Sequence, residues 1–426
     1  MKRLTFLSVL LVVQFIVYGQ SDRVTLFDCY KQAEKTYPLS RQSGMLEKSN
    51  ELKIKNLNKN YLPQMNLNGS ASLQSDVTEL KLNLPAQFSF IKFPVISKDM
   101  YKLTVDVNQS IYDGNITGYQ KKLEAFNLQS DEKSLQVELY QLKERINQAY
   151  FSIFMLQENE AILISNKNEI ESKLKEVLSA IANGAMLASS ADILQAEILN
   201  IDQELIELRN DRVTDFHVLS ELTSSTIPEN SKLVLPSIQI SSLNFEDNRP
   251  ELQLYNIQQL KTDVMKNMVN TRWNPKFYAF GQAGYGRPGL NMLSNDFTPW
   301  WLFGAKMTWN IWNWNQSRNE KKIYNIQNDI IGTQKETFEK NLKIEAASNT
   351  AEMEKMEELL QKDQEIIALR IKIAQSASSQ LDNGVITSSD YISRLNEETQ
   401  AKMTLELHRI QLVKAKIAYL FTLGKL

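Results

Sequence analysis

Two histidines, one cysteine and a short glycine run are the residues of this 426-residue chain whose types suit catalysis or phosphate binding. His217 and His408 lie in helix-rich stretches without a second metal-type ligand pattern or a nearby nucleophile. Each therefore reads as a solvated or core histidine. Gly281, Gly284 and Gly286 give a Gly-x-x-Gly-x-Gly spacing, but inside a strand pattern; a phosphate loop needs such glycines at a strand-to-helix turn. The carboxylates flank heptads and read as a solvated face. No enzyme activity, cofactor or metal site is expected. With 48 basic against 50 acidic residues the net charge is −2, so there is no basic stripe to bind nucleic acid.

A different chemistry is concentrated in the second half. All six tryptophans, Trp273, Trp300, Trp301, Trp309, Trp312 and Trp314, surround one hairpin. Tryptophan collects at membrane–water interfaces because its ring is amphipathic, and outer-membrane barrels carry aromatic girdles at both rims. Trp300, Trp301, Trp309, Trp312 and Trp314 are the expected girdle. The alternative, an aromatic β core, lacks a second sheet to pack against.

The elements that position these rings are strands of period two. Met65, Leu67, Gly69, Ala71 and Leu73 alternate with Asn66, Asn68, Ser70 and Ser72. Leu103, Val105, Val107 and Ile111 alternate with Lys102, Thr104, Asp106, Asn108 and Ser110. Each strand thus has one greasy and one wet face. A second hairpin follows with Phe277, Ala279, Gly281, Ala283 and Tyr285, then Trp301, Phe303, Ala305, Met307 and Trp309. The loops, about 75–100 and 286–299, are expected outside the cell.

Around the hairpins the period is seven. Leu135, Leu139, Leu142, Ile146, Ala149, Ile153 and Leu156 form a coiled-coil seam that continues through Leu163, Ile170, Leu174, Val177 and Ile181, with Glu160 and Lys167 off pattern. From Asn115 to Asn183 no proline interrupts, which permits one helix of ~100 Å. Asn183-Gly184 ends it, and Leu194, Ile198, Ile201, Leu205 and Leu208 form the return. A noisier seam (Leu342, Ala346, Met353, Met356, Leu360, Ile367) turns at Asn383-Gly384. Thr25 and Asp28 are expected to cap an earlier helix that runs towards Asn60.

The chain is written twice. Tyr37-Pro38 and Leu62-Pro63 recur at an offset of 212 as Arg249-Pro250 and Asn274-Pro275. Ile111–Asn115, Asn183-Gly184, Ser189 and Glu197 recur at an offset of 200 as Ile311–Asn315, Asn383-Gly384, Ser389 and Glu397. One loop is shorter in the second copy. The expected domains are a signal peptide over 1–19, a first repeat over 20–222, a linker over 223–248 and a second repeat over 249–426. Lys2, Arg3, an apolar run and Val17-Tyr18-Gly19 have the layout of a cleavable secretory signal, and the run falls short of a membrane span. Cys29 follows charged Asp22, Arg23 and Asp28, so it reads as a helix residue and not as a lipid-attachment site.

Two hairpins are four strands, too few to close a barrel, and an open edge in lipid leaves backbone groups unpaired. Oligomerisation follows; three copies supply 12 strands. At this point the order helix, hairpin, long helix, tight turn and return helix, given twice, resembles the TolC family of outer-membrane efflux proteins. Leu62-Pro63, Ile111-Tyr112-Asp113-Gly114, Arg249-Pro250 and the turns at Gly184 and Gly384 carry the resemblance. It implies a mainly α fold with β: a homotrimer with a 12-stranded barrel in outer-membrane lipid, continued by an α-helical periplasmic tunnel. It also implies an exit duct for efflux or type I secretion, served by a periplasmic adaptor and an inner-membrane transporter. The tip turns, Asn183, Gly184, Ser189 and Asn383, Gly384, Ser389, would meet the adaptor. Asp390 matches one position of the family's acidic constriction; the alternative is that it caps a helix with Ser388 and Ser389. Asn313-Trp314 replaces the usual Asp-Gly, and Ile386 stands at the basic gate position. The rival reading is a periplasmic coiled-coil adaptor or structural protein.

Overall fold

The computed structural model describes residues 23–77, 96–240 and 248–426. The expected signal peptide and most of the first loop lie outside the described residues. The elements are β1 (Arg23–Val24), α1 (Leu26–Thr36), α2 (Gln42–Asn58), β2 (Gln64–Leu73), β3 (Asp99–Tyr112), α3 (Ile116–Ala182), α4 (Ala188–Thr223), β4 (Lys232–Leu233), α5 (Pro250–Met268), β5 (Lys276–Arg287), β6 (Thr298–Thr308), α6 (Gln316–Asp382) and α7 (Ser388–Thr422). Hairpin, long helix and return helix occur twice, and α3 and α6 each have 67 residues. Among the described residues no helix is long and apolar enough to cross a membrane.

Two compact units cut across the repeats. One holds the chain up to Ser40 with Glu138–Asn248 and Leu342–Leu426; the other holds Arg41–Val137 and Arg249–Asn341. The first is helical. Its seam residues Leu142, Ile146, Ala149 and Ile153 of α3 pack with Leu26, Cys29, Tyr30 and Ala33 of α1 and with Phe216 and Leu219 of α4. Further along, Leu163, Ile170 and Val177 meet Leu194, Ile201 and Leu205 of α4 and Tyr391 and Leu395 of α7. The two off-pattern positions of α3 are charged because each has a partner on α4. Glu160 accepts from Arg209 (2.7 Å) and Arg212, and Lys167 pairs with Asp202 (2.5 Å).

One expectation is corrected here. The helix expected from Thr25 towards Asn60 is divided. Thr25 does cap it, its hydroxyl accepting from the Asp28 N–H at 3.3 Å. But Tyr37, before Pro38, is extended (φ −59°, ψ 136°), because proline excludes the helical conformation from its predecessor. A short 3-10 turn separates α1 from α2. The Ser/Pro-rich stretch after α4, expected as the linker, packs on the helical unit. Lys232–Leu233 pairs in parallel with β1, Leu233 is buried, and Leu235 and Ile238 pack on the same core. The Tyr150 hydroxyl bridges both edges, its one proton shared between the carbonyls of Val24 (2.8 Å) and Val234 (2.7 Å).

The second unit carries one antiparallel sheet in the order β2-β3-β5-β6. Among the described residues its outer strands, β2 and β6, have no further strand partner.

Candidate functional site: a two-faced sheet and two helical tips

The register assigns every strand residue to a face. Leu67 stands opposite Val105, Val105 opposite Ala283, and Ala283 opposite Trp301. Residues two apart share a face. One face therefore runs across all four strands as Met65–Leu73, Tyr101–Val107, Phe277–Tyr285 and Pro299–Met307, taking alternate residues. Its only charged members are Asp99 and Arg287, which pair with each other at the loop end. Gln109 is its one other polar side chain, and it donates to the Tyr61 carbonyl (3.3 Å).

Rings gather at both ends of this face. At the loop end Tyr101 and Tyr285 flank Phe297, with centroids 6.1 and 5.8 Å away; further along the face Trp301, opposite Ala283, lies 5.4 Å from Phe303, opposite Gly281. At the helix end Tyr112 meets Phe277 (6.4 Å), Trp309 donates to the Trp273 carbonyl (2.9 Å), and Trp312 meets Trp314 edge-on (5.8 Å). Small residues, Ala279, Gly281, Ala283 and Ala305, lie between. Trp301 is 68% exposed and Trp314 84%.

Trp300 is different. As the strand neighbour of Trp301 it projects from the opposite face, beside Thr104 and 5.3 Å from the Lys102 ammonium. It is only 8% exposed and covers Gly284, where an added Cβ would lie 2.6 Å from the indole. Phe303 covers Gly281 in the same manner on the apolar face. Of the glycines that resembled a phosphate loop, Gly281 and Gly284 are thus seats for aromatic rings on a neighbouring strand, while Gly286 lies against the Tyr101 backbone. The expected girdle loses Trp300.

The second face is polar on β2 and β3. Asp106 accepts from Asn68, from Gln282 and from the Thr104 hydroxyl (3.1 Å), so one carboxylate ties three strands. At the strand-to-helix junction Asp113 accepts from the N–H groups of Asn115 (2.9 Å) and Thr117 (2.8 Å), closing the first turn of α3. Gly114 there has φ +76°. The second copy puts Trp314 in the same left-handed conformation at φ +52°, which costs a side-chain-bearing residue about 1–2 kcal/mol.

In the helical unit the two tip turns are built alike. Gly184 has φ +76° and Gly384 φ +68°. Ala185 N–H reaches back to the Ala180 carbonyl (2.9 Å) and Val385 N–H to that of Gln380 (2.8 Å), the 6→1 bond of a Schellman motif. Asn183 and Asn383 each donate a side-chain amide to the carbonyl four residues earlier (3.0 and 2.7 Å). Ser189 and Ser389 are exposed on the return helices. Leu187 and Val385, which the sequence reading passed over, are the large apolar side chains exposed beside these turns.

Asp390 is neither the cap itself nor partnered by Ser388 or Ser389. Thr387 is the N-cap, and Asp390 accepts from its N–H (3.0 Å) and hydroxyl (2.7 Å), completing a capping box. The Thr387 hydroxyl and backbone hold its carboxyl below the ordinary aspartate range. The first copy has Leu187 at this cap and no side-chain bond. Near the tips Lys173 of α3, buried, pairs with Asp382 of α6 (2.9 Å) and with Glu176 (2.6 Å). Burial alone would lower its ammonium, but the two carboxylates outweigh this and leave it raised. This inter-helix tie joins residues far apart in sequence and had no sequence signal.

His408 sits against Asp363 (2.6 Å) within the helical unit, and His217 is exposed near Glu229. Among the described residues no cluster of metal-type ligands occurs.

No family model matches the sequence, and no curated protein matches it significantly. Solved structures do. The Campylobacter jejuni CmeC outer membrane channel matches at TM-score 0.66 and 12% identity, over 94% of this chain and 85% of that one. The outer-membrane channel OprN matches at 0.69 and 15%, over 94% and 90%. The Neisseria gonorrhoeae MtrE outer membrane channel matches at 0.67 and 13%, over 94% and 88%. These are channel proteins and not enzymes. At such identities the likeness is one of fold: the chain is mostly helical with a small sheet, in the architecture of TolC-type outer-membrane channels.

Proposed function

We propose that the chain is one subunit of a trimeric outer-membrane duct. Three four-stranded sheets close edge to edge, β6 of one copy against β2 of the next, into a 12-stranded barrel. The helices continue it as a periplasmic tunnel whose tips receive a periplasmic adaptor. Substrates come from an inner-membrane transporter, for efflux or for type I secretion.

The single observation that carries this reading is the apolar face continuous across β2, β3, β5 and β6. Strands of 10 to 14 residues are long enough to cross a bilayer at a tilt of about 45°. In lipid each unpaired backbone group at the two free edges costs several kcal/mol, which barrel closure removes. Tyr101, Tyr285 and Phe297 at one end, and Trp309, Trp312 and Trp314 at the other, supply interfacial anchors. The turns at Asn183-Gly184 and Asn383-Gly384 with Ser189, Ser389, Leu187 and Val385 form the adaptor contact. Asp390, repeated three times around the axis, lines the constriction.

Fractionation tests the reading. The chain should stay in the outer-membrane pellet through a carbonate wash, leave it only in detergent, and run as a trimer after cross-linking. Release by carbonate as a monomer would instead support the periplasmic adaptor. Topology is checked at Met292, exposed in the β5–β6 loop: a thiol reagent that cannot enter cells should label Met292→Cys on intact cells. For Asp390, the Asp390→Asn channel should be shifted towards anions relative to the wild type in a bilayer recording; unchanged selectivity leaves this residue only its capping role.

A further inference from the structure

We propose that the barrel bore selects for anions, through Lys102, Lys276 and Lys306 on the polar face of the sheet. The inference rests on the duct reading, which turns that face inward. Within the four strands the face carries three lysines against one carboxylate, Asp106. The pairings give their positions. Lys102 stands opposite Ser70 and Gly286, towards the loop end; Lys306 stands opposite Tyr278, and Lys276 opposite Thr308, towards the helix end. Asp106, opposite Gln282, lies between them.

The acid and the bases are not equivalent. The carboxylate is engaged on three sides by Asn68, Gln282 and Thr104. Among the described residues none of the three lysines forms an ion pair with a carboxylate. Lys102 has the Trp300 ring as its neighbour, an arrangement that holds an ammonium in place without neutralising it. A solute crossing the bore therefore meets positive charge at both ends and one engaged negative charge in the middle. Rings of lysine or arginine select anions in pores. The field of a wall charge reaches ~10 Å at 0.1 M salt and ~30 Å at 0.01 M, so the preference is greatest in dilute salt. The favoured cargo class is then solutes of net negative charge, such as carboxylates, sulfonates or phosphate esters.

The test is the reversal potential of the purified full-length channel in a planar bilayer under a potassium chloride gradient at low ionic strength. The combined variant Lys102→Gln, Lys276→Gln, Lys306→Gln should shift the reversal potential towards the potassium equilibrium value, with a smaller shift in concentrated salt. Because the readout is a difference between two proteins with the same tip, any contribution of Asp390 cancels. If the triple variant conducts with the wild-type reversal potential, the bore lysines do not select and the inference falls while the duct stands. If a folded trimer of the wild type does not conduct at all, the duct reading falls and takes the inference with it. A single variant, Lys306→Gln, should give part of the shift where the triple variant assembles poorly; no shift from it in a conducting channel also refutes the inference.

Discussion

An arginine at Val105 probes the orientation of the whole sheet. Val105 is central in β3, the seventh of its 14 residues, between Leu67 and Ala283 on the apolar face. At about 3.3 Å per residue and a 45° tilt, each residue climbs ~2.3 Å. Val105 thus lies ~14–16 Å from either strand end, which the proposed barrel puts close to the bilayer midplane. A lipid-facing arginine there costs about 2–4 kcal/mol, or roughly 30- to 700-fold in the assembly equilibrium per chain at 1.4 kcal/mol per decade. The control must stand on the other face. Thr104 is unsuitable, being 5% exposed and lodged by Gly284 beneath Trp300. Asn108, exposed on the polar face, is the better choice. In unheated gels of outer-membrane fractions, Val105→Arg should deplete the assembled oligomer and Asn108→Arg should retain it. Equal depletion by both, or none by Val105→Arg, would refute the assignment of faces.

Four further outcomes follow from named contacts. Gly184 needs only its positive φ, since an added Cβ meets nothing within 4 Å; Gly184→Ala should cost about 1–2 kcal/mol in detergent melts, and Gly184→Asn less. Cys29 is 3% exposed, and burial, then Asp28, pushes its thiol up to about 12; a maleimide should label it only once the protein unfolds. Lys173→Met should change stability by no more than about 1 kcal/mol, because Asp382 and Glu176 stay hydrated, whereas breaking a pair buried on both sides costs about 3–5 kcal/mol; melting curves distinguish the two. Asp390 has a depressed pKa in the folded chain, so its stabilisation is present above the ordinary aspartate value and is lost as pH falls through the folded value. The difference in melting temperature between wild type and Asp390→Asn should therefore be constant near neutrality and shrink in acid.

Most of the architecture was legible because both periods are strict. Alternation in β2 and β3 sorts Leu103, Val105 and Val107 from Lys102, Thr104 and Asp106 without reference to neighbours, and heptads from Leu135 to Ile181 identify the buried stripe of α3. The failures have physical causes. A single helix towards Asn60 would run through Pro38, where the constraint on Tyr37 breaks it. Composition groups Trp300 with Trp301, although adjacent strand residues cannot share a face. The alternative for Asp390, a cap shared with Ser388 and Ser389, misses Thr387, because a capping box is reciprocal over three residues. The Lys173–Asp382 and Tyr150–Val234 contacts join distant segments and leave no local pattern.

The two copies diverge where the side chains do something other than hold the fold. The tip glycines keep the same φ and the same back-bond in both copies, because the backbone reversal requires them. At offset 200, Leu187 becomes Thr387 and Ser190 becomes Asp390, so only the second tip acquires a capping box and its carboxylate. Gly114 becomes Trp314, which retains a left-handed backbone at a cost of about 1–2 kcal/mol. Asp106 becomes Lys306, and at offset 212 Gln64 becomes Lys276, which makes the polar face of the second hairpin basic. A duplication under selection for stability alone has no reason to place a strained, 84% exposed tryptophan where glycine is free of strain. The substitution is accounted for if Trp314 gains an interface with lipid that the isolated chain lacks. Trp314→Gly should then leave the detergent-solubilised trimer equally or more stable while weakening its retention in bilayers, as read by flotation with liposomes; a loss of stability in detergent would argue for a packing role instead.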